Sequence, residues 1–317
     1  MARKPLPQIE AASPLGIQLA RRMSERFAKL VALMAALRAP DGCPWDRKQT
    51  HESLKPYLLE ETYEVLETID SGNERKLREE LGDVLLQVLF HSQIAAESGT
   101  FTIDDVLDQL AEKLIRRHPH VFDRNGGTGA LSDGEQVLTQ WEEIKRAERQ
   151  ADGAGSSALD GVPKTLPALL RAYQTQARAA RVGFDWSHDA AGLDAVLKKI
   201  AEEIDELRTA VAADRPGTGT GSAGRTDINS ETGDVLFSLV NLARFLKVNP
   251  EDALRLSTNR FVERFHLVEA LAAEQGRTLP EMSLTDMDGL WEEAKRRLRE
   301  QIEVSPAPTP SKKDPPR

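Results

Sequence analysis

The sequence predicts an all-α fold built from two copies of one helical unit, and three observations carry that prediction. Aromatic residues make up 5% of the 317, runs of β-branched residues are few, and Ala, Leu, Glu and Arg abound, a composition that favours helix over sheet. Apolar residues recur at helical spacing, as in Phe27, Leu30, Val31, Met34 and Leu37. The two halves also resemble each other, so the length, which by itself suggests two domains, reads as a tandem duplication. LLEETYEVLETI at 58–69 matches IAEEIDELRTAV at 200–211, EELGDVLLQVLF at 79–90 matches SETGDVLFSLVN at 230–241, and QWEEIKR at 140–146 matches LWEEAKR at 290–296.

In chain order, residues 1–22 read as a flexible N-terminal segment with three prolines in the first 14 positions. A first helical repeat occupies 23–149, a Gly-, Ser- and Pro-containing linker 150–166, a second repeat 167–303, and a tail with five prolines 304–317. Glu61 matches Glu203, 142 residues on, whereas Asp83 matches Asp234, 151 residues on. A Gly/Thr/Ser loop at 214–227 explains the difference, because the first copy has only the short turn DSGNERK at 70–76 in its place. Another Gly-rich break, NGGTGALSDG, lies at 125–134. The repeats predict two copies of one helical unit, sharing a core or folding apart.

Acidic residues outnumber basic ones 51 to 42, for a net charge of -9, the wrong sign for a protein whose main ligand is a nucleic acid polymer or an anionic membrane. No apolar run is long enough to span a bilayer, and the start of the chain, with Arg3, Lys4, Pro5 and Pro7, lacks the apolar stretch of a signal peptide. With Cys43 as its one cysteine, the chain forms no internal disulfide and suits a reducing compartment, so the expected location is the cytoplasm.

Each copy carries E-E-x-x-E followed by E-x-x-D. These are Glu60, Glu61, Glu64, Glu80 and Asp83 in the first and Glu202, Glu203, Glu206, Glu231 and Asp234 in the second. Residues three apart share a helix face, so Glu61 with Glu64 and Glu80 with Asp83 form two pairs of oxygen donors that an antiparallel hairpin brings together. An isolated E-x-x-E is more often a solvated face. Here, however, no charged residue occurs from 84 to 96 or from 235 to 243, which places the acids at the edge of a buried core. Carboxylates clustered there repel one another and lose hydration unless a cation compensates. All-oxygen donors suit Mg2+ first and Mn2+ next. Zinc would want His or Cys, and a di-iron bundle would need paired E-x-x-H motifs, of which only Glu263 with His266 has the spacing.

Downstream of each acidic cluster lies a basic helix, EKLIRRHPHVF at 112–122 and NRFVERFHLVE at 259–269. Lys113 aligns with Arg260 and Arg117 with Arg264, each pair four residues apart and able to hold phosphate oxygens, or else to make ordinary surface ion pairs. Trp141 and Trp291 offer rings for a nucleobase, or alternatively for the core. His118 and His120 flank Pro119 at an expected helix end, and Cys43 between Gly42 and Pro44 reads as a turn residue.

Taken together, G-C-P-W-D at 42–46, the E-E-x-x-E motif at 60–64, E-L-G-D at 80–83, R-R-H-P-H-V-F at 116–122 and the duplicated second half resemble the MazG family of nucleoside triphosphate pyrophosphohydrolases over about residues 23–300. The resemblance implies an all-α NTP pyrophosphatase fold, its helical pairs assembled into four-helix-bundle cores, usually as a homodimer, that hydrolyses (deoxy)nucleoside triphosphates to monophosphate and pyrophosphate with Mg2+, in a nucleotide-pool housecleaning role. It puts metal ligands at Glu61, Glu64, Glu80 and Asp83, and at Glu203, Glu206, Glu231 and Asp234. For the second copy it implies nucleotide contacts at Lys199, Asn259, Arg260, Arg264 and Trp291. An acid outside the ligand set, Glu60 or Glu202, is the candidate general base. The competing expectation is that one or both repeats are non-catalytic helical modules for dimerisation or partner binding.

Overall fold

The structure, a computed structural model, describes residues 14–122, 133–151, 157–214 and 221–304. The start of the expected N-terminal segment (1–13), most of the Gly-rich break (123–132), linker residues 152–156, residues 215–220 and the Pro-rich tail from 305 lie outside the described residues. Among the described residues every regular element is a helix. The chain divides into two compact units, Met1–Asp152 and Gly153–Arg317. No helix of the described residues is long and apolar enough to cross a membrane.

The first unit is organised around a helical hairpin. Helix α1 (Pro14–Arg38) and the short α2 (Pro44–Lys48) precede α3 (Lys55–Asp70) and α4 (Glu74–Glu97). Three residues, 71–73, turn the chain back on itself, and Gly72 supplies the positive φ of 64° that the reversal needs. The Asn73 side chain then caps α4 by accepting from the Lys76 amide at 3.1 Å, which satisfies one of the free N–H groups at that end. Met34, Leu54 and Phe90 form the buried centre, backed by Ile94. Leu54 is buried almost completely, a gain of roughly 1.5–3 kcal/mol for such a side chain. Arg38 ties α1 to α4 through Glu97 at 2.7 Å and also donates to the backbone carbonyls of Asp46 and Gln49. Helices α5 (Ile103–Arg117), α6 (Pro119–Phe122) and α7 (Gly134–Ala151) complete this unit. A Thr102/Asp105 capping box starts α5.

The second unit repeats the hairpin as α9 (Ala190–Ala213) and α10 (Gly221–Phe245), preceded by α8 (Ala168–Arg181) and followed by α11 (Pro250–Glu274) and α12 (Leu284–Val304). Helix α10 begins at Gly221, inside the stretch read from sequence as a loop. Once a buried helix is nucleated, extending it adds a hydrogen bond for each residue fixed. Gln176 of α8 donates to the Phe237 carbonyl of α10 at 2.8 Å. The core joins α11 to α12 through Val268, Leu271, Ala272, Leu290 and Ala294, with Met282 between them in sequence. Arg244 closes onto Asp185 at 2.5 Å, both side chains nearly out of solvent.

Candidate metal and nucleotide site

The hairpin geometry converts sequence spacing into a site. In the first unit, Glu61 and Glu64 come from α3 and Glu80 from α4, and one carboxylate oxygen from each lies within 4.8 Å of the others. In the second unit the corresponding set is Glu203 from α9 with Glu231 and Asp234 from α10. Each triad thus contains three of the four acids expected. The fourth member stands close by: Asp83 acts electrostatically on Glu61, and Glu206 feels Glu203 and Glu231. Glu203 is buried, Glu61, Glu80, Asp83 and Glu231 are half-buried, and Glu64, Glu206 and Asp234 are exposed.

The electrostatics are those of a site short of positive charge. Burial pushes the Glu61 carboxyl above the ordinary carboxylate range, and Asp83, Glu64, Glu80 and Glu60 push it further. Glu80 is raised by partial burial and then by Glu64, through charge and a shared hydrogen bond, with Lys76 opposing. Glu206, though exposed, is raised by partial loss of hydration against the hairpin and by Glu203 and Glu231, against Lys199. Three oxygens within 4.8 Å of one another are spaced as ligands of a single ion are, and a set with oxygen donors only fits a hard divalent cation.

The other expected residues divide by unit. In the first, Arg117 is held by Glu148 of α7 at 2.6 Å, beside Arg116 at 2.7 Å. Arg117 foremost among the two, these guanidinium groups hold the Glu148 carboxyl down at about 2. Trp141 packs edge-on against His118 with centroids 4.9 Å apart, Lys145 stands over its ring, and its buried Nε1 has no hydrogen-bond partner among the described residues. His118 ends α5 with Nδ1 2.6 Å from the Leu114 carbonyl, and His120 meets Gln140. Lys113 lies half-buried on the same helix. In the second unit, Arg264 of α11 stands over Trp291 of α12 at 5.9 Å. Trp291 also touches Phe261 and packs against the α11/α12 core. Asn259 and Arg260 are exposed on α11. Lys199 pairs with Glu202 at 2.8 Å and Glu203 at 2.7 Å. Glu60 is exposed on α3 next to Glu61, and Glu202 next to Glu203 on α9.

Sequence reasoning gave no contacts for several residues that the structure brings together in the first unit. Trp45 meets Tyr57 and Phe90 edge-on at 5.7 and 6.4 Å, bringing G-C-P-W-D against the hairpin. The signal was present: Trp186 stands 141 residues after Trp45, each three residues beyond a glycine. Gln87, one turn beyond Asp83 on α4, is buried, and its Oε1 has no partner among the described residues. The His51 and His91 rings are stacked with their Nδ1 atoms 2.8 Å apart, and burial together with His51 lowers the His91 pKa.

An all-α repeat protein with one acidic cluster per hairpin, each suited to a hard cation, is the class that fold and site define. Within that class the chain belongs to the MazG nucleotide pyrophosphohydrolase family and so is an enzyme, a hydrolase: the family's domain matches residues 49–122 and 192–268, which contain the two clusters. It is 47% identical over 269 residues to the nucleoside triphosphate pyrophosphohydrolase/pyrophosphatase MazG of Thermotoga maritima, covering 85% of this chain and 95% of that one. It is also 41% identical over 269 residues to the nucleoside triphosphate pyrophosphohydrolase of Escherichia coli K12, covering 84% and 96%. Similarity extends to the uncharacterized protein YabN of Bacillus subtilis, 45% over 273 residues, covering 86% of this chain but 52% of that protein.

Proposed function

We propose that this enzyme hydrolyses (deoxy)nucleoside triphosphates to the monophosphate and pyrophosphate, in the service of nucleotide-pool housecleaning. The observation that carries the reading is the pair of carboxylate triads, each inside a segment matched by the family domain. Glu61, Glu64 and Glu80 with Asp83, and Glu203, Glu231 and Asp234 with Glu206, would hold Mg2+, or Mn2+ in its place. Bound there, a divalent cation supplies positive charge against the triphosphate and makes water a better nucleophile.

The chain's own residues do the rest. Glu202 in the second unit, or Glu60 in the first, takes the proton of the attacking water. The water oxygen bonds to phosphorus, the α,β anhydride P–O bond breaks, and pyrophosphate leaves. Arg260 and Arg264, with Lys199 and Asn259, hold phosphate oxygens, while Trp291 offers a ring face to the base. Lys113, Arg117 and Trp141 are the counterparts in the first unit. There the capture of Arg117 by Glu148 favours a second reading, in which the first unit is a non-catalytic module for dimerisation or partner binding. The active assembly is a homodimer in the cytoplasm, and neither a nucleic acid polymer nor a membrane is its ligand.

Pyrophosphate release from a panel of canonical and damaged nucleotides tests the assignment. EDTA abolishes turnover and Mg2+ restores it. A chain with both Glu61→Gln and Glu203→Gln loses at least about a hundredfold, as expected when metal ligands are removed. Unchanged turnover in that chain overturns the metal assignment. Glu61→Gln with Glu80→Gln, set against Glu203→Gln with Glu231→Gln, separates two working units from one.

A further inference from the structure

The two carboxylate clusters are not equivalent. In the second, Lys199 lies one turn before Glu203 on α9, and its ammonium touches both Glu202 and Glu203. Glu203 is the most buried member of either triad, with a side chain 8% exposed, whereas the Lys199 side chain keeps 40% of its exposure. A positive charge therefore already stands at the least solvated oxygen of the second site. The same register of the first unit, four residues before Glu61, holds Tyr57, which carries no charge and packs edge-on against Trp45. The 142 residues that separate Glu61 from Glu203 also separate Tyr57 from Lys199.

We infer that Lys199 is a resident counter-ion of the second cluster: a divalent cation displaces it from Glu203 and the phosphates of the nucleotide take it up, so the second site loads cation and triphosphate together. The first cluster, with tyrosine at that register, takes the cation by itself. This deepens the function proposed above and rests on it. The physical ground is competition for one oxygen. An ammonium 2.7 Å from a Glu203 oxygen and a metal ion ligated by that carboxylate would be like charges a few ångström apart, and their repulsion loosens the ammonium's hold on Glu203. Lysine suits the exchange because its charge rides on a flexible four-carbon stem and moves by side-chain rotation with the helix fixed. A triphosphate supplies the anionic oxygens that receive it, for which a compact point charge is enough.

The experiment reads Mn2+ binding rather than turnover. In the full chain carrying Glu61→Gln and Glu80→Gln, only the second cluster remains, and free Mn2+ is followed by electron paramagnetic resonance with and without an α,β-imido nucleotide. Mn2+ binds this chain at least about tenfold more tightly with the nucleotide than without it. Adding Lys199→Met raises the nucleotide-free affinity about tenfold, the effect of removing one nearby positive charge, and shrinks the gain from nucleotide. Lys199→Arg keeps the parent pattern, and the mirror chain with Glu203→Gln and Glu231→Gln binds Mn2+ without nucleotide. If Lys199→Met leaves the nucleotide-free affinity unchanged, the exchange is wrong while the cation site stands. If the second cluster binds no Mn2+ in any of these chains, the cation site is wrong and the exchange falls with it.

Discussion

Glu61 and Glu203 occupy matching positions, yet their neighbours give them different needs. Glu61 is pressed by burial and by four surrounding acids, whereas Glu203 has the Lys199 ammonium at 2.7 Å. Neutralising Glu61 therefore relieves repulsion. Glu61→Gln is expected to raise the melting temperature of the EDTA-treated protein, by about 0.5–1 kcal/mol in stability, since like charges one turn apart on helices each cost a few tenths. The same substitution should shrink the further rise on adding Mg2+, because a ligand of the native state stabilises only where it binds. Calorimetry with and without Mg2+ checks both; a lower melting temperature in EDTA would mean that Glu61 is held by a contact other than acidic neighbours. The register of the carboxylates was legible in the sequence because i, i+3 spacing on a helix dictates a shared face. What Lys199 and Arg117 touch was not, since a long side chain reaches several partners and packing selects among them.

Among elements, α7 shows how a contact distant in sequence fixes a helix. Arg117 and Arg116 of α5 bind Glu148 of α7, and Arg117 foremost holds the Glu148 carboxyl at about 2, below the ordinary 4.5. A depressed pKa means the folded form favours the charged state. The stabilisation is fully present above pH 4.5 and is lost as pH falls toward 2. Protection of the α7 amides, taken relative to their intrinsic exchange rate at each pH, should fall over that window, and Glu148→Gln should make that protection low and nearly independent of pH there. At the start of α9, Gly192 is buried and its N–H donates to the Asp189 cap at 2.8 Å. A Cβ at Gly192 would fall 1.7 Å from the Ser187 carbonyl oxygen, so Gly192→Ala must pull the cap loop from the helix that carries the second E-E-x-x-E. It should cost about 2–4 kcal/mol in denaturant unfolding. Gly289→Ala on α12, where a Cβ meets nothing within 4 Å, should gain up to about 1 kcal/mol from helix propensity, which makes it the control.

For the whole molecule, the exposed apolar residues repeat as faithfully as the acids. Leu85, Leu86 and Val88 on α4 and Leu236, Phe237 and Leu239 on α10 are exposed, and each matches its partner 151 residues away. Apolar helix faces in register and open to water are what a partner helix pair would cover to complete a four-helix core. These faces support the homodimer proposed above, for which light scattering should give twice the chain mass. Leu85→Glu with Leu236→Glu should shift that mass to the monomer, whereas a wild-type monomer at micromolar concentration would remove the dimer from the proposal.

Sequence alone determined the helical class, the duplication and the identity of the acids, because composition, periodicity and the spacing of charge on a helix are local properties of the chain. Its Gly/Thr/Ser stretch was read as loop, but from Gly221 onward the structure continues as helix, extended from the buried part of α10. Tertiary structure decided which three of four carboxylates meet within 4.8 Å, that Glu148 holds Arg117, and that Lys199 lies against Glu203 while Tyr57, at the matching register of the first copy, lies against Trp45. Those outcomes depend on how two helices turn and approach each other, and on which long side chains fill the space left between them, and neither is fixed by the order of residues along one helix.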